Sequence, residues 1–241
     1  CGACGVLIPD GAPHLLAAPH DGIAALPMPR PDKRTALSPE LLVRLAQAWR
    51  RIRDDDDVRV AVLTGAGDKA FCAGADLGRL IPLLTRQRGP EDEWDNALLS
   101  DKDAFADGLL RGFDLDKPIV SAIAGDALAG GTELVLATDL RVAAAGITMG
   151  LTEVARGLYP MSGSTVRLPR QIPYCLAAEM LLCGEHISAQ RALEFGLVNR
   201  LVPAGQTLAA AREYAAKICA NGPLAVRAVT RSLREHQECM A

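Results

Sequence analysis

Two carboxylates occupy places where folding alone would not put them. Glu133 lies in "LAGGTEL" (128–134), where two glycines and an acid open a helix whose continuation, "VLATDLRVAAA", is almost entirely apolar. Glycine weakens a helix interior and a lone carboxylate facing a core is costly to bury, so neither residue type serves stability. Glu153 follows in "GLTEVARGLYP", after a strand-like run and before a turn. Two carboxylates brought together in an apolar site have their pKa values pushed apart, so that one can give a proton while the other takes one. The chemistry they would support is general acid–base catalysis. Two plainer readings stay open: a helix dipole favours any carboxylate in a first turn, and Gly130 and Gly131 would also serve close helix–strand packing.

Acid–base chemistry at a carbonyl also needs a place for the developing negative charge. Two strand-to-turn exits, "FCAGADL" and "AGDALAGGTEL", each present backbone N–H groups beside small residues. A pair of such donors aimed at one point is an oxyanion hole, and small residues leave the substrate oxygen room to reach the backbone. The second exit also opens a helix, whose positive end adds to the stabilisation. Gly65, Gly67 and Ala70 spell a competing G-x-G-x-x-A after a strand, the outline of a dinucleotide-binding turn. That motif requires its third small residue inside a helix and an acid closing the next strand about 20 residues on. Here Phe71 to Asp76 carries another glycine, and the region around residue 90 is polar.

The elements that must position these groups alternate short apolar runs with helix-period stretches, the pattern of βα units and a mainly parallel sheet. Strands are expected at 22–28, 58–65, 117–125 and 139–146. A helix is expected from Ser38 as N-cap and Pro39 to the acidic run Asp54 to Asp57, and another at "GGTELVLAT". The polar run 78–117 reads as loop with one or two short helices. From Ser162 onward the pattern is helical, with "GLVNRLVP" as one short strand.

The chain has 241 residues, 49% hydrophobic and 23% charged, enough for a large core. A formal charge of −3 gives no general attraction to nucleic acid or anionic membrane. The longest apolar candidate for a membrane span is broken by Asp126, Glu133 and Asp139. The amino end carries no charged region followed by an apolar one, so secretion is not expected, and the absence of an initial Met means that the true start is not shown. Seven scattered cysteines fit a reduced, cytoplasmic chain, and Cys1 and Cys4, a lone C-x-x-C, read as part of a loose terminus.

Taken together and in order, "KAFCAGADL", "KPIVSAIAGDALAGGTELVLATDLRVAAA" and "GLTEVARGLYPMSGSTVRLPRQI" resemble the crotonase, or enoyl-CoA hydratase/isomerase, superfamily, and the likeness runs from "RPDKRTALSPEL" to "GLVNRLVP". The resemblance implies an α/β fold with a crotonase-like ββα spiral core and a helical C-terminal region. It divides the chain into residues 1–160, carrying the oxyanion hole and both acids, and 161–241, for oligomerisation. It makes the backbone N–H groups of Ala75 and Gly130 the oxyanion pair, and Glu133 and Glu153 the catalytic acids. Arg34, Ala36, Lys69, Ala73, Asp76 and Leu77 become the contacts to the coenzyme A part of the substrate. The implied activity is hydration of a 2-enoyl-CoA in fatty-acid or related acyl-CoA metabolism, β-oxidation included. The alternatives are an enoyl-CoA isomerase, which needs one acid near Glu153, and a non-catalytic acyl-CoA binder. The implied partner is an acyl-CoA thioester, with no metal, no separate cofactor, no nucleic acid and no membrane, and the implied assembly is a homotrimer or homohexamer.

This sequence departs from the family pattern at several points. Thr35 replaces the usual Asn before Ala-Leu, which is expected to alter a local turn. Met161 replaces the glycine that often follows the proline, beside the expected water and acyl site. Gly78 and Arg79 follow "GADL" where relatives often have a basic residue directly, and the chain ends at "LREHQECMA", short of the family's last helices.

Overall fold

The apolar runs read as strands assemble side by side into a parallel sheet. The structure, a computed structural model, describes residues 20–28, 35–68 and 70–238. Five strands lie in the order β1 (Ile23–Met28), β2 (Val60–Gly65), β4 (Ile119–Ile123), β6 (Leu140–Ala144) and β9 (Arg200–Val202), every neighbouring pair parallel. A second sheet orders β3 (Ala70–Cys72), β5 (Asp126–Leu128), β7 (Thr148–Gly150) and β8 (His186–Ser188), with only the β7–β8 pair antiparallel. Thus β2 and β3, β4 and β5, and β6 and β7 each send one strand to each sheet, the ββα spiral expected from the resemblance.

The second sheet escapes a reading by periodicity because each of its strands is three residues long, too short for alternation to register. The run 78–117 holds three short helices, one more than expected: α2 (Leu80–Leu84), α3 (Glu93–Ser100) and α4 (Ala104–Gly108). Its polar composition hides a knot around Asp95, which is fully buried and bonded by Arg88 at 2.5 Å and 2.9 Å. The Arg88 hydrogen bonds hold the Asp95 carboxyl down at about 2 against the opposing effect of burial.

The first long helix, α1 (Pro39–Asp54), begins as the sequence suggests, with Ser38 Oγ accepting from Leu41 N–H at 3.3 Å. Each strand of the parallel sheet divides its side chains between two cores. Ala61 and Leu63 of β2 face the α1 side with Leu41, Leu45 and Trp49, whereas Val60 and Val62 face Ala211 and Ala215 of α9 (Thr207–Cys219). Through β9 and α9, residues beyond 160 therefore supply an edge strand and a covering helix to the main sheet. Four further helices complete the described carboxy-terminal part: α6 (Ser164–Gln171), α7 (Tyr174–Cys183), α8 (Ala189–Glu194) and α10 (Pro223–Glu238). Among the described residues no helix is long and apolar enough to cross a membrane.

The helix that carries Glu133 is α5 (Gly130–Leu136), buried along its whole length and held at both ends. At its carboxyl end the buried Arg141 donates to the carbonyls of Val135, Leu136 and Thr138, and to Leu197 O from the opposite side. Val135 O also accepts from Thr138 N–H at 3.1 Å and Thr138 Oγ1–H at 2.8 Å, and Leu136 O from Gln171 Nε2 at 2.9 Å, so the guanidinium adds to the bonds that close this end. Burial lowers the Arg141 pKa to about 10, which leaves it charged at neutral pH.

At the amino end the two glycines do different work. A Cβ on Gly131 would lie 2.2 Å from Cys72 O and 2.8 Å from Cys72 C, so the helix touches the end of β3 at a distance only glycine allows. A Cβ on Gly130 would meet the end of a flexible side chain, Leu37 Cδ1 at 2.8 Å, and otherwise stand 3.9 Å from Ala75 N. The packing reading left open by the sequence thus describes Gly131, and Gly130 stands at the mouth between the two turns. Gly131→Ala is expected to lower stability by about 3 kcal/mol or more, since backbone must shift, and Gly130→Ala by about 1 kcal/mol. Urea or thermal unfolding of the two variants side by side measures the difference; equal losses would erase the distinction.

Candidate active site

The two glycine-rich exits face one another across a narrow gap. Gly74, at φ +90°, permits an approach in which a Cβ on it would stand 2.8 Å from Ala129 Cβ and 3.4 Å from Gly130 N. Leu37 stitches the first exit in place, its N–H donating to Gly74 O at 2.8 Å and its carbonyl accepting from Asp76 N at 2.9 Å. Among the described residues no protein acceptor takes the amide of Ala75 or of Gly130. Ala129, just before α5, has φ 50° and ψ −125°, a conformation that costs a non-glycine residue about 1–3 kcal/mol. Its own groups fix it, with N–H donating to Gly150 O at 2.7 Å and carbonyl accepting from Glu133 N at 3.0 Å. The strain turns the following peptide so that Gly130 N–H leads the helix.

Glu133 is 2% exposed, and its Oε1 accepts three hydrogen bonds from the start of α6. Ser162 N–H donates at 2.9 Å, Ser164 N–H at 3.2 Å and Ser164 Oγ–H at 2.8 Å. A carboxylate at a helix amino terminus is stabilised by those free N–H groups and by the dipole. The turn needs Gly163 in a left-handed conformation, φ +100°. Arg167 Nη1 steadies it by donating to Ser162 O at 3.0 Å.

Glu153 has the opposite surroundings. It sits at the start of a single 3-10 turn, Val154–Arg156, is 8% exposed, and among the described residues no other residue donates a hydrogen bond to either of its carboxyl oxygens. Burial pushes its carboxyl up to about 7; its own backbone amide offsets part of that shift, and the nearby charge of Glu133 adds to it. One acid is richly bonded, and the other, among the described residues, is buried with no partner from another residue and close enough to feel the first one's charge. That is the separation of environments by which two carboxyls take unlike roles.

The other site residues expected from the sequence divide into two groups. Ala36, Ala73, Ala75 and Asp76 lie together, partly buried, around the Leu37–Ala75 bridge, and Leu77 beside them is 52% exposed. The Asp76 carboxylate is occupied, accepting from Gly78 N–H and Arg79 N–H at 3.0 Å each, so this segment offers a channel mainly its backbone. Arg34 and Lys69 lie outside the described residues, as do Cys1 and Cys4. Thr35 adopts φ 49°, unfavourable for a β-branched residue, with its hydroxyl buried and without a partner among the described residues. Asn tolerates that conformation better, which explains why the family's usual residue suits the turn. Met161 is 50% exposed. Sequence reasoning missed Ser162 and Ser164, because a serine pair before an amphipathic stretch looks like a helix cap, whereas Ser164 reaches an acid 31 residues away. Among the described residues no three His, Cys, Asp or Glu side chains group as a metal site.

The sequence profile of the family described as enoyl-CoA hydratase/isomerase matches residues 19–241. The chain is 48% identical over 213 residues to enoyl-CoA hydratase EchA19 of Mycobacterium tuberculosis, covering 88% of this chain and 77% of that one. It is 40% identical over 206 residues to (E)-benzylidenesuccinyl-CoA hydratase of Thauera aromatica, covering 86% and 76%. Among solved structures, a carnitinyl-CoA dehydratase from Mycobacterium avium superposes with a TM-score of 0.79 at 38% identity, covering 91% of this chain and 82% of that one. The profile spans nearly all of the chain, and the relatives match most of its length, so the chain belongs to the enoyl-CoA hydratase/isomerase family of the crotonase superfamily and is an enzyme of the hydro-lyase type.

Proposed function

We propose that the protein adds water across the 2,3 double bond of a 2-enoyl-CoA thioester. The observation that carries this reading is the contrast between the two buried acids, Glu133 bonded three times through one oxygen and Glu153 buried with its pKa pushed up to about 7. In this reading the thioester oxygen sits between the amides of Ala75 and Gly130, which take up the charge of the enolate. Each such donor typically lowers the barrier by about 3 kcal/mol. Glu133 holds a water and takes its proton as the oxygen bonds to C3, and Glu153 gives a proton to C2. One proton then passes from Glu133 to Glu153, so both acids return to their starting states and one water has been added.

Proton transfers and a single C–O bond make up the reaction, so acid–base groups suffice. Coenzyme A enters only as part of the substrate, its phosphates met by Arg34 and Lys69, in an assembly of three or six copies. The curated relatives act, by their names, on quite different acyl groups, a benzylidenesuccinyl one among them. The acyl group taken here is set by the wall built from α2 to α4. An isomerase would need only the acid at Glu153, and the care with which Glu133 is held favours hydration.

Glu153→Gln is expected to lower kcat by about 10²- to 10⁴-fold with CoA binding kept, and Glu133→Gln to reduce hydration far more than any isomerisation. Loss of the enoyl-thioester absorbance of crotonyl-CoA and of a long-chain 2-enoyl-CoA measures both. Turnover by Glu153→Gln at the original rate would remove that residue from the mechanism.

Because Glu153 must carry its proton to give one, kcat/KM is expected to fall as pH rises through about 7, a limb that Glu153→Gln lacks. Stability follows the same group. Between its ordinary value of 4.5 and about 7 the folded chain keeps a proton that the unfolded chain releases, so stability drops as pH rises across that window. At pH 8 Glu153→Gln is expected to melt about 3 °C or more above the parent, and at pH 4 the two should melt together. Melting curves at the two pH values check it; a gap that does not depend on pH would refute it.

A further inference from the structure

The Glu133 carboxylate is held unevenly, and a side chain causes part of the unevenness. All three of its hydrogen bonds go to Oε1, and the shortest, 2.8 Å, comes from the Ser164 hydroxyl. Among the described residues no donor engages Oε2. Ser164 is itself fully buried, and its one hydroxyl hydrogen is spent on Glu133. The carboxylate cannot exchange its two oxygens without breaking three bonds together.

We propose that Ser164 is a positioning residue for hydration: its hydroxyl fixes the rotation of the Glu133 carboxylate so that Oε2 alone is left to hold and deprotonate the attacking water. The inference rests on the reading of Glu133 as the base. The two amides alone would not suffice. They flank Gly163 in a left-handed turn, and the Ser164 amide bond, at 3.2 Å, is the longest of the three. The hydroxyl supplies a third, stronger direction, since bonds from O–H to a carboxylate are short and charge-assisted. The turn itself does not depend on it, because Arg167 anchors Ser162 O at 3.0 Å and Ser164 starts α6 by its backbone. Removing the hydroxyl therefore loosens Glu133 while leaving the loop in place.

The test compares Ser164→Ala and Ser164→Thr, each in the parent and in the Glu133→Gln background, with crotonyl-CoA and a long-chain 2-enoyl-CoA. A crystal structure of Ser164→Ala accompanies the kinetics. The expected result is a fall in kcat of about tenfold for Ser164→Ala with KM within about twofold, and recovery of most of the rate in Ser164→Thr. In the Glu133→Gln background Ser164→Ala should change nothing further, because the hydroxyl acts through Glu133. An unchanged kcat, an equal loss in the Glu133→Gln background, or a loss that tracks lowered melting temperature and is not restored by Thr would each overturn the proposal. If the parent hydrates neither thioester, the hydratase reading fails by itself. The crystal structure then still decides this one: a Glu133 carboxylate in two rotations supports the hold by Ser164, and a single unchanged rotation overturns it.

Discussion

The site depends on one contact, the first turn of α5 pressed against the end of β3. With Gly131 set where its Cβ would lie 2.2 Å from Cys72 O, the helix axis is fixed relative to the strand by backbone alone. Everything that matters chemically hangs from that junction. Gly130 N–H is brought opposite Ala75 N–H, Ala129 is bent into an unfavourable conformation, and Glu133, one turn along, is carried into the interior toward α6. Side chains can adjust by rotamer, but two backbones in contact cannot, and interiors pack densely enough to transmit such a constraint. Arg141 closes the other end of the same helix with a guanidinium that has carbonyls for partners. Burying it costs desolvation, and its hydrogen bonds to four carbonyl oxygens offset that cost.

The two acids show stability traded against reactivity within a few residues. Glu133 is charged chemistry made comfortable, with an oxygen bonded three times over. Glu153 is buried in the same interior with no partner from another residue among the described residues, and that burial raises its proton affinity toward neutrality. A buried group that is unsatisfied in the resting protein is available for a substrate atom to satisfy. The strain at Ala129 belongs to the same pattern, because energy held locally is tolerated where the surrounding bonds over-determine it.

Much of this was legible in the sequence, and the rest was not for definable reasons. The long strands, α1 with its Ser38 cap and Pro39, and the oddity of an acid between glycines and an apolar run all follow from local rules. The short second sheet did not show, because three residues carry no usable periodicity. The order inside 78–117 did not show either, because it comes from Arg79, Arg88, Asp92 and Asp95 meeting across a fold of the chain, and charge composition alone reads as solvated loop. Gly130 and Gly131 looked alike as letters and differ only in what stands opposite them. Ser164 was hidden most fully, since its partner lies far back in sequence and its local context has an adequate explanation as a helix start.

The spiral also sets an order in which the site comes into being. Each turn adds one strand to each sheet beside the previous turn, so the pairings run β2 to β4 to β6 and β3 to β5 to β7 in the order of synthesis. Ala75 follows β3 and Gly130 follows β5, so the facing amides belong to the first two turns. The donors that secure Glu133 arrive only with residues 162–164, and the sheet gains its last strand at Arg200–Val202. On a ribosome emitting the chain from its amino end, the strands that carry the two facing amides would thus precede the residues whose donors hold Glu133.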